Sequence, residues 1–212
     1  FLVLAAFSSH ALAHDFWLLG DSKEVTSVNI GFGHDFPNPE KIDEKRVNNF
    51  ETPYILTKSG EKLSLKQSGE NYHYERAKLE DGTYLIIGEY KPTFWTEAND
   101  GTWHMNKNKK DIKGAKFCRH ATMSAKGIIN LNAKDDFEGK PLKEAVVNGT
   151  FEGFLKEKSA FHGETEDDGT TEVLALKPGK WMLEAVYKFA FSDPKICDEE
   201  KAKATFAFEI KE

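Results

Sequence analysis

Short alternating segments separated by turn residues are the sequence feature that most restricts the fold of this chain. No segment carries an apolar helical stripe over three turns. The clearest predicted strands cover residues 25–30, 83–90, 171–176, 180–189 and 203–210. Turn-forming pairs lie between such segments, at Ser59-Gly60, Asp81-Gly82, Asp168-Gly169 and Pro178-Gly179. The pattern predicts an all-β protein of one or two β-sandwich domains.

A change in composition near residues 130–140 suggests a domain boundary. We predict an N-terminal β domain at residues 14–129 and a C-terminal β-sandwich at residues 130–212. The order of Gly139-Lys-Pro-Leu142, the Asp168-Gly169 turn and Leu176-Lys-Pro-Gly-Lys-Trp181 resembles the transthyretin-like and carboxypeptidase-regulatory type of Ig-like sandwich. The predicted C-terminal core consists of Trp181, Leu183, Phe206, Phe208 and Ile210.

Residues 1–13 have the pattern of part of a signal peptide. An uncharged apolar run is followed by the small-residue box Ala11-Leu-Ala13, which is typical of a cleavage site. The mature chain would then begin at His14 and be exported, with the periplasm as the expected location. No second apolar stretch approaches the roughly 20 residues of a membrane helix, so we expect no direct membrane insertion after cleavage.

The net charge restricts the classes of binding partner, and the cysteine content bears on the redox state of the cellular compartment. The formal net charge of −6 argues against nucleic acid, which requires a basic face. The chain has two cysteines, Cys118 and Cys197, and an exported protein matures in an oxidising compartment. A disulfide is the favoured interpretation, and the alternative is that Cys118 binds a metal together with His120.

His14 is the strongest candidate metal ligand in the sequence. Cleavage after Ala13 would give it a free α-amine, and the amine and ring Nδ1 together form a two-nitrogen chelate. With ordinary pKa values of about 7.7–8.0 and about 6.5, both groups can lose their protons to a metal near neutral pH. The alternative is that His14 is a frayed terminal residue. Because the apolar segment 16–19 follows, we expect a first strand that holds His14 in place.

Three further histidines are candidates to complete the site. His34 lies in a glycine-containing turn, where Asp35 could orient its ring; His73 lies between two tyrosines; His104 lies between Trp103 and Met105. Each also has an ordinary structural interpretation, as a turn, exposed strand or core histidine. His120 and His162 are interpreted as surface residues. The sequence contains no serine-hydrolase, metalloprotease, P-loop or dinucleotide-binding signature, so it predicts no enzymatic activity.

Several longer strings together carry a family resemblance. They are His14-Asp-Phe-Trp17, Gly31-Phe-Gly-His-Asp-Phe-Pro37, Gly69-Glu-Asn-Tyr-His-Tyr-Glu75, Gly88-Glu-Tyr-Lys-Pro-Thr-Phe-Trp95 and Trp103-His-Met-Asn-Lys-Asn-Lys-Lys110. The chain resembles the periplasmic accessory component of energy-coupling-factor nickel and cobalt uptake transporters, within the secreted proteins that begin His-Asp/Glu-Phe-Trp. This resemblance implies capture of Ni²⁺ or Co²⁺ and delivery to an inner-membrane metal permease.

Other functions remain open at this stage. The same histidines suit a periplasmic copper or zinc chaperone, because imidazole and amine nitrogens bind Cu²⁺ and Zn²⁺ as well as Ni²⁺. A metal-free adhesive or glycan-binding sandwich could use Trp95 and Trp103 as a platform. An oxidative enzyme with copper on the amino-terminal histidine is the remaining hypothesis.

Overall fold

The computed structural model describes residues 14–69, 72–129, 144–154, 158–175 and 177–211. The predicted signal segment lies outside these residues. A short helix, α1 (Glu44–Val47), lies between the second and third strands. The strands in chain order are β1 (Asp15–Ser22), β2 (Val25–Gly33), β3 (Tyr54–Leu56), β4 (Lys62–Ser64), β5 (Lys66–Gln67), β6 (His73–Ala77), β7 (Tyr84–Ala98), β8 (Trp103–Met105), β9 (Ala115–Ile129), β10 (Val146–Phe151), β11 (Phe161–Glu164), β12 (Gly179–Ala190) and β13 (Glu199–Ile210).

The described strands form two sheets, packed as a sandwich. One sheet has four strands in the order β1-β2-β6-β5. The other has nine, in the order β11-β10-β12-β13-β9-β7-β3-β4, with β8 paired to β7. Neighbours are antiparallel except β13 and β9, which run parallel. The all-β sandwich prediction is therefore confirmed, while the likeness of the C-terminal part to transthyretin-type domains stays a prediction.

Apolar side chains from both sheets meet in the main core. Phe16 and Leu18 of β1 are fully buried and share one cluster with Ile86 of β7 and Ala125 of β9. The opposite face of β1 presents Trp17, which packs with Met182 and Ala207 in a second cluster. Because successive side chains of a strand point to opposite faces, an apolar run such as 16–19 is buried on both sides. The expected first strand is confirmed.

A buried charge cluster also links the two sheets. The Lys203 ammonium, 6% exposed, lies 2.5 Å from Asp15 Oδ1 on β1 and 2.5 Å from Glu184 Oε2 on β12. The Thr205 hydroxyl donates a hydrogen bond to the Phe16 carbonyl. The start of β1 is thus bound to β13 by side chains as well as by apolar packing.

Four of the five predicted strands are confirmed, within β2, β7, β12 and β13. The fifth predicted strand, at 171–176, is wrong: the described residues 171–175 form no strand. Leu174, which alternation placed among the apolar positions, is 78% exposed. Alternation shows which side chains could face a core. A strand also needs a neighbour to accept its backbone hydrogen bonds, and the pattern carries no information about that neighbour.

The predicted C-terminal core is only partly correct. Trp181 is 1% exposed, as expected, but Leu183, Phe206, Phe208 and Ile210 are half-buried. The inner face of β13 instead carries Thr205 and Ala207, which are 2% and 1% exposed. Small side chains are needed there because β1 packs closely on that face. Among the described residues, no helix is long and apolar enough to cross a membrane.

The predicted disulfide is confirmed. Cys118 of β9 and Cys197, just before β13, are bonded across a sequence separation of 79 residues, with their Cα atoms 4.8 Å apart. The alternative hypothesis, a metal site of Cys118 and His120, is wrong because the sulfur is already bonded. His120 is also not a surface residue: it packs against Phe94 and Phe191, and its Nδ1 lies 2.6 Å from Glu200 Oε2.

The predicted domain boundary near residues 130–140 lies outside the described residues, so the division into two domains stays a prediction. The nine-stranded sheet contains strands from both predicted domains. Strands β3, β4, β7, β8 and β9 come from before residue 130, and β10 to β13 come from after it.

Candidate metal centre

His14 lies immediately before β1, at one end of the four-stranded sheet. Its ring stacks on Phe32 of β2, with centroids 4.7 Å apart and an interplanar angle of 1°. Its side chain is 29% exposed, and Nε2 lies 3.3 Å from Glu40 Oε2. The packing of β1 against both cores fixes the strand, so the imidazole that precedes it is held at a defined position.

His34 lies beside His14 because of the strand register. Asp15 of β1 pairs with Gly33 at the end of β2, so the residues just beyond this pair, 14 and 34, are neighbours. The two rings have centroids 4.2 Å apart. An antiparallel hairpin therefore brings together two histidines that are 20 positions apart in the chain.

Glu40 completes the cluster, and the sequence analysis missed it. The chain turns back after His34, and the Glu40 N–H donates a 2.8 Å hydrogen bond to the Phe32 carbonyl. Glu40 Oε1 accepts a 3.0 Å bond from the His34 backbone N–H and lies 2.9 Å from His34 Nδ1. A Cβ on Gly33, whose φ is +150°, would be 2.9 Å from Glu40 Cγ, so the close approach requires glycine there.

The pKa shifts of His14 and Glu40 favour the forms of these side chains that bind metals. Burial lowers the pKa of His14 below its ordinary value, and the charges of His34 and Arg46 lower it further, against the raising effect of Glu40. The pKa of Glu40 is also lowered, chiefly by its hydrogen bond with the His34 side chain. Near neutral pH, His14 is a neutral imidazole and Glu40 is a carboxylate, the forms in which each donates electrons to a metal.

The geometry of the three side chains suits a metal ion. One donor atom from each of His14, His34 and Glu40 can be chosen so that all three lie within 4.8 Å of one another. Metal bonds of about 2.0–2.2 Å place tetrahedral donors about 3.4 Å apart, so small side-chain movements are sufficient. Two imidazoles and one carboxylate leave further coordination positions for another ligand.

The other two predicted ligands lie elsewhere. His73 of β6 pairs with Asn29, four residues along β2 from Gly33, or about 13 Å. Its Nδ1 is 2.7 Å from Asn29 Oδ1 and its Nε2 is 3.0 Å from Glu75 Oε1. His104 lies on β8 and pairs with Thr96. The structure thus brings together two of the four predicted histidines, His14 and His34. The glycine and prolines around His34 are the sequence feature that indicates a turn there, and this turn carries Glu40 back to the histidines.

The β-sandwich and this cluster define the class: an all-β protein with a candidate metal site of two histidines and a glutamate at one end of a sheet. The chain belongs to the family described as a domain of unknown function (DUF4198), whose model matches residues 11–137. That match includes β1 to β9 and all three residues of the cluster. Comparisons with curated proteins and with solved structures found no match.

Proposed function

We propose that this protein binds Ni²⁺ or Co²⁺ through His14, His34 and Glu40, and that it assists uptake of the metal by an inner-membrane permease. The observation that carries the proposal is the convergence of two imidazoles and one carboxylate within 4.8 Å. The protein acts in the periplasm as a carrier and not as an enzyme, and the metal is its cargo.

The donor types support a transition metal. Imidazole nitrogen suits nickel, cobalt, copper and zinc, whereas Ca²⁺ and Mg²⁺ prefer sites made of oxygen atoms. The hydrogen bonds of Glu40 orient its carboxylate toward both rings. The stacking of His14 on Phe32 limits rotation of that ring, so little conformational entropy is lost when a metal binds.

Calorimetric titration of Ni²⁺ and Co²⁺ into the processed protein tests the metal site. We expect one ion per chain, and a loss of at least tenfold in affinity for each of His14→Ala, His34→Ala and Glu40→Gln. His162→Ala is the matched control, because His162 lies on β11 and contacts Asn148. His73→Ala and His104→Ala should change the affinity less than threefold. Wild-type Ni²⁺ affinity in all three cluster variants would show that these side chains do not bind the metal.

The transport role needs a cellular measurement. Deleting the gene should lower cellular nickel when external nickel is scarce, and the wild-type gene should restore it. The His34→Ala form should not restore it, although the protein is exported at normal levels. Unchanged nickel in the deletion strain would separate metal binding from uptake and would contradict the transport role.

The copper or zinc chaperone is the alternative with the same site. Affinity for divalent ions rises through nickel to copper in most nitrogen sites, so tight copper binding in solution does not identify the cargo. Native mass spectrometry of protein loaded in turn with each metal, followed by measurement of cellular copper, zinc and nickel in the deletion strain, decides between them. The metal-free adhesive alternative predicts no metal binding in either experiment.

A further inference from the structure

A cavity of about 270 Å³ opens beside the candidate metal centre and shares His14 and Phe32 with it. This volume lies just below the range of typical small-molecule sites. Aromatic rings form much of its wall, contributed by Phe32, Tyr90, Trp95 and Trp103. Among the described residues that line the cavity, four are cationic and none is acidic: Arg46, Arg119, Lys201 and Lys203 are the cations.

Arg46 contacts aromatic rings in the cavity wall. Its guanidinium lies 5.7 Å from the centre of the Phe32 ring and 5.3 Å from that of Trp95. It forms no ion pair within the described part of the chain. Its charge contributes to lowering the pKa of His14, so it acts on the metal-binding ring directly. Two aromatic rings thus hold this guanidinium at the cavity wall, and its N–H groups are donors for an anionic ligand.

Lys201 is a second cation that lines the cavity and has no ion-pair partner among the described residues. Burial, with smaller effects of the Lys203 and Arg119 charges, lowers its pKa to about 8, against the raising effect of Glu184. The other two cations have carboxylate partners: Lys203 pairs with Asp15 and Glu184, and Arg119 pairs with Glu199 at 2.5 Å. Lys201 has no ion pair with a described residue. Two cations in the cavity, one from α1 and one from β13, therefore form no ion pair with a described residue.

We propose that this cavity binds a flat, carboxylate-bearing chelator, which coordinates the metal at His14, His34 and Glu40 while Arg46 and Lys201 bind its carboxylate. The metal part of this inference rests on the proposed function. A divalent ion with two neutral imidazoles and one carboxylate keeps a net positive charge, and Arg46 adds another beside it. An anionic ligand offsets this repulsion and fills the open coordination positions.

The cavity walls favour a planar ligand. Aromatic side chains bind flat rings by offset or edge contacts, and Met123 and Ala121 add apolar surface to the wall. The guanidinium and ammonium N–H groups can donate to the carboxylate oxygen that does not coordinate the metal. The cargo would then be a metal chelate, with the protein supplying three ligands and the small molecule supplying the rest.

Picolinate and 2-(aminomethyl)pyridine form a matched pair of probes. Both are flat pyridine chelators that make a five-membered ring with Ni²⁺, and only picolinate carries a carboxylate. Equilibrium dialysis of each probe is run against the processed protein, with and without saturating Ni²⁺. We expect one picolinate per chain in the presence of nickel, and at least tenfold weaker retention of 2-(aminomethyl)pyridine.

Arg46→Gln and Lys201→Gln should each weaken picolinate retention about tenfold or more. Neither should weaken Ni²⁺ binding without chelator, because each substitution removes a positive charge from the cavity beside the metal site. Lys62→Gln is the control, because Lys62 also lies over an aromatic ring, that of Tyr54, but outside the cavity. Using two variants protects the test against misfolding of either one.

The outcomes separate the two proposals. If nickel binds and picolinate is not retained, or 2-(aminomethyl)pyridine is retained equally well, the chelator inference is overturned and the metal site stands. If nickel does not bind but picolinate is retained in an Arg46-dependent way, binding of a carboxylate in the cavity is supported and the proposed function fails. If neither binds, both are overturned.

Discussion

At the scale of single residues, the orientation of the His14 ring determines which donors can act together. Nε2 faces Glu40, at 3.3 Å. A chelate with the α-amine of a processed chain would use Nδ1, the other nitrogen of the same ring. One imidazole cannot give both nitrogens to one ion, so the amine chelate predicted from the sequence and the imidazole–carboxylate cluster are distinct sites.

A glycine added before His14 distinguishes the two sites. It retains every side chain and moves only the amine. From the orientation of Nε2 we expect the extended protein to bind Ni²⁺ within threefold of the processed protein, whereas His14→Ala should lose at least tenfold. Calorimetry on the three forms is the measurement. Marked weakening in the extended form would show that the amine is a ligand, as the sequence suggested.

Glu184 is a residue whose protonation affects stability. Burial, together with a hydrogen bond with Asp15, raises its pKa to about 7, against the attraction of Lys203. The pKa of Lys203 is raised: burial alone would lower it, but the charges of Asp15 and Glu184 outweigh that effect. Lys203 therefore stays charged, and Glu184 exchanges its proton with solvent near neutral pH.

The sign of the resulting pH dependence follows from linkage. The folded protein holds a proton on Glu184 that the unfolded chain releases above about pH 4.5, so this contribution to stability is complete below that pH and is lost as pH rises through about 7. We expect Glu184→Gln to gain stability relative to wild type between pH 5 and 8, by at most about 3 kcal/mol. Urea unfolding at several pH values measures this difference. The exposed Glu209→Gln should show no such trend, and a flat difference for Glu184→Gln would contradict the argument.

At the scale of elements, the β1–β2 hairpin positions the candidate site. Its register places residues 14 and 34 together, and its two faces are buried against separate clusters. Gly31 of β2 lies under the Trp17 ring, where a Cβ would be only 2.0 Å from Nε1. Close packing of tryptophan on a glycine backbone thus holds the two strands in their arrangement.

Gly31→Ala tests this contact. The added methyl group must displace the indole, which is 1% exposed, and we expect a loss of about 1–3 kcal/mol in the free energy of unfolding. In a Trp17→Phe background the same substitution should cost less, since the smaller ring leaves space. Thermal and urea unfolding of the four proteins gives the coupling. An equal cost in both backgrounds would show that Trp17 is not the cause.

At the scale of the whole molecule, two distant parts of the chain meet along one parallel pair of strands. β9 and β13 are paired from Glu199 opposite Arg119 to Ala207 opposite Gly127. The disulfide closes the start of this pair, and Asp198 accepts bonds there from the Cys118 N–H at 2.9 Å and from the Lys109 ammonium at 2.6 Å. Parallel strands distant in sequence are entropically costly to bring together, and a cross-link reduces that cost.

Removing the bridge should destabilise the protein strongly. For a loop closed over 79 residues, the chain-entropy estimate is about 4.5 kcal/mol for Cys118→Ala combined with Cys197→Ala. Reduction of the wild-type protein should give a similar loss. Urea unfolding of the oxidised, reduced and double-variant forms measures it. A loss below about 1 kcal/mol in both would show that packing alone holds β9 and β13 together.

The sequence alone was sufficient for features that depend on local chemistry. Alternating side chains and turn pairs predicted the all-β class and four of five strands, because period-two patterning reflects the geometry of a strand itself. Two cysteines in a chain expected to be exported predicted the disulfide, and His14 and His34 were recognised as candidates from their immediate neighbours.

Only the tertiary structure decided what depends on which strands are neighbours. It brought Glu40 to the two histidines, left His73 and His104 apart from them, and gave the inner face of β13 to Thr205 and Ala207 in place of the phenylalanines. It also gathered Arg46 and Lys201, 155 positions apart, at one cavity. Periodicity determines which residues share a face of a strand, but strand order, register and the return path of a loop follow from packing energies over the whole chain, and these determine the site.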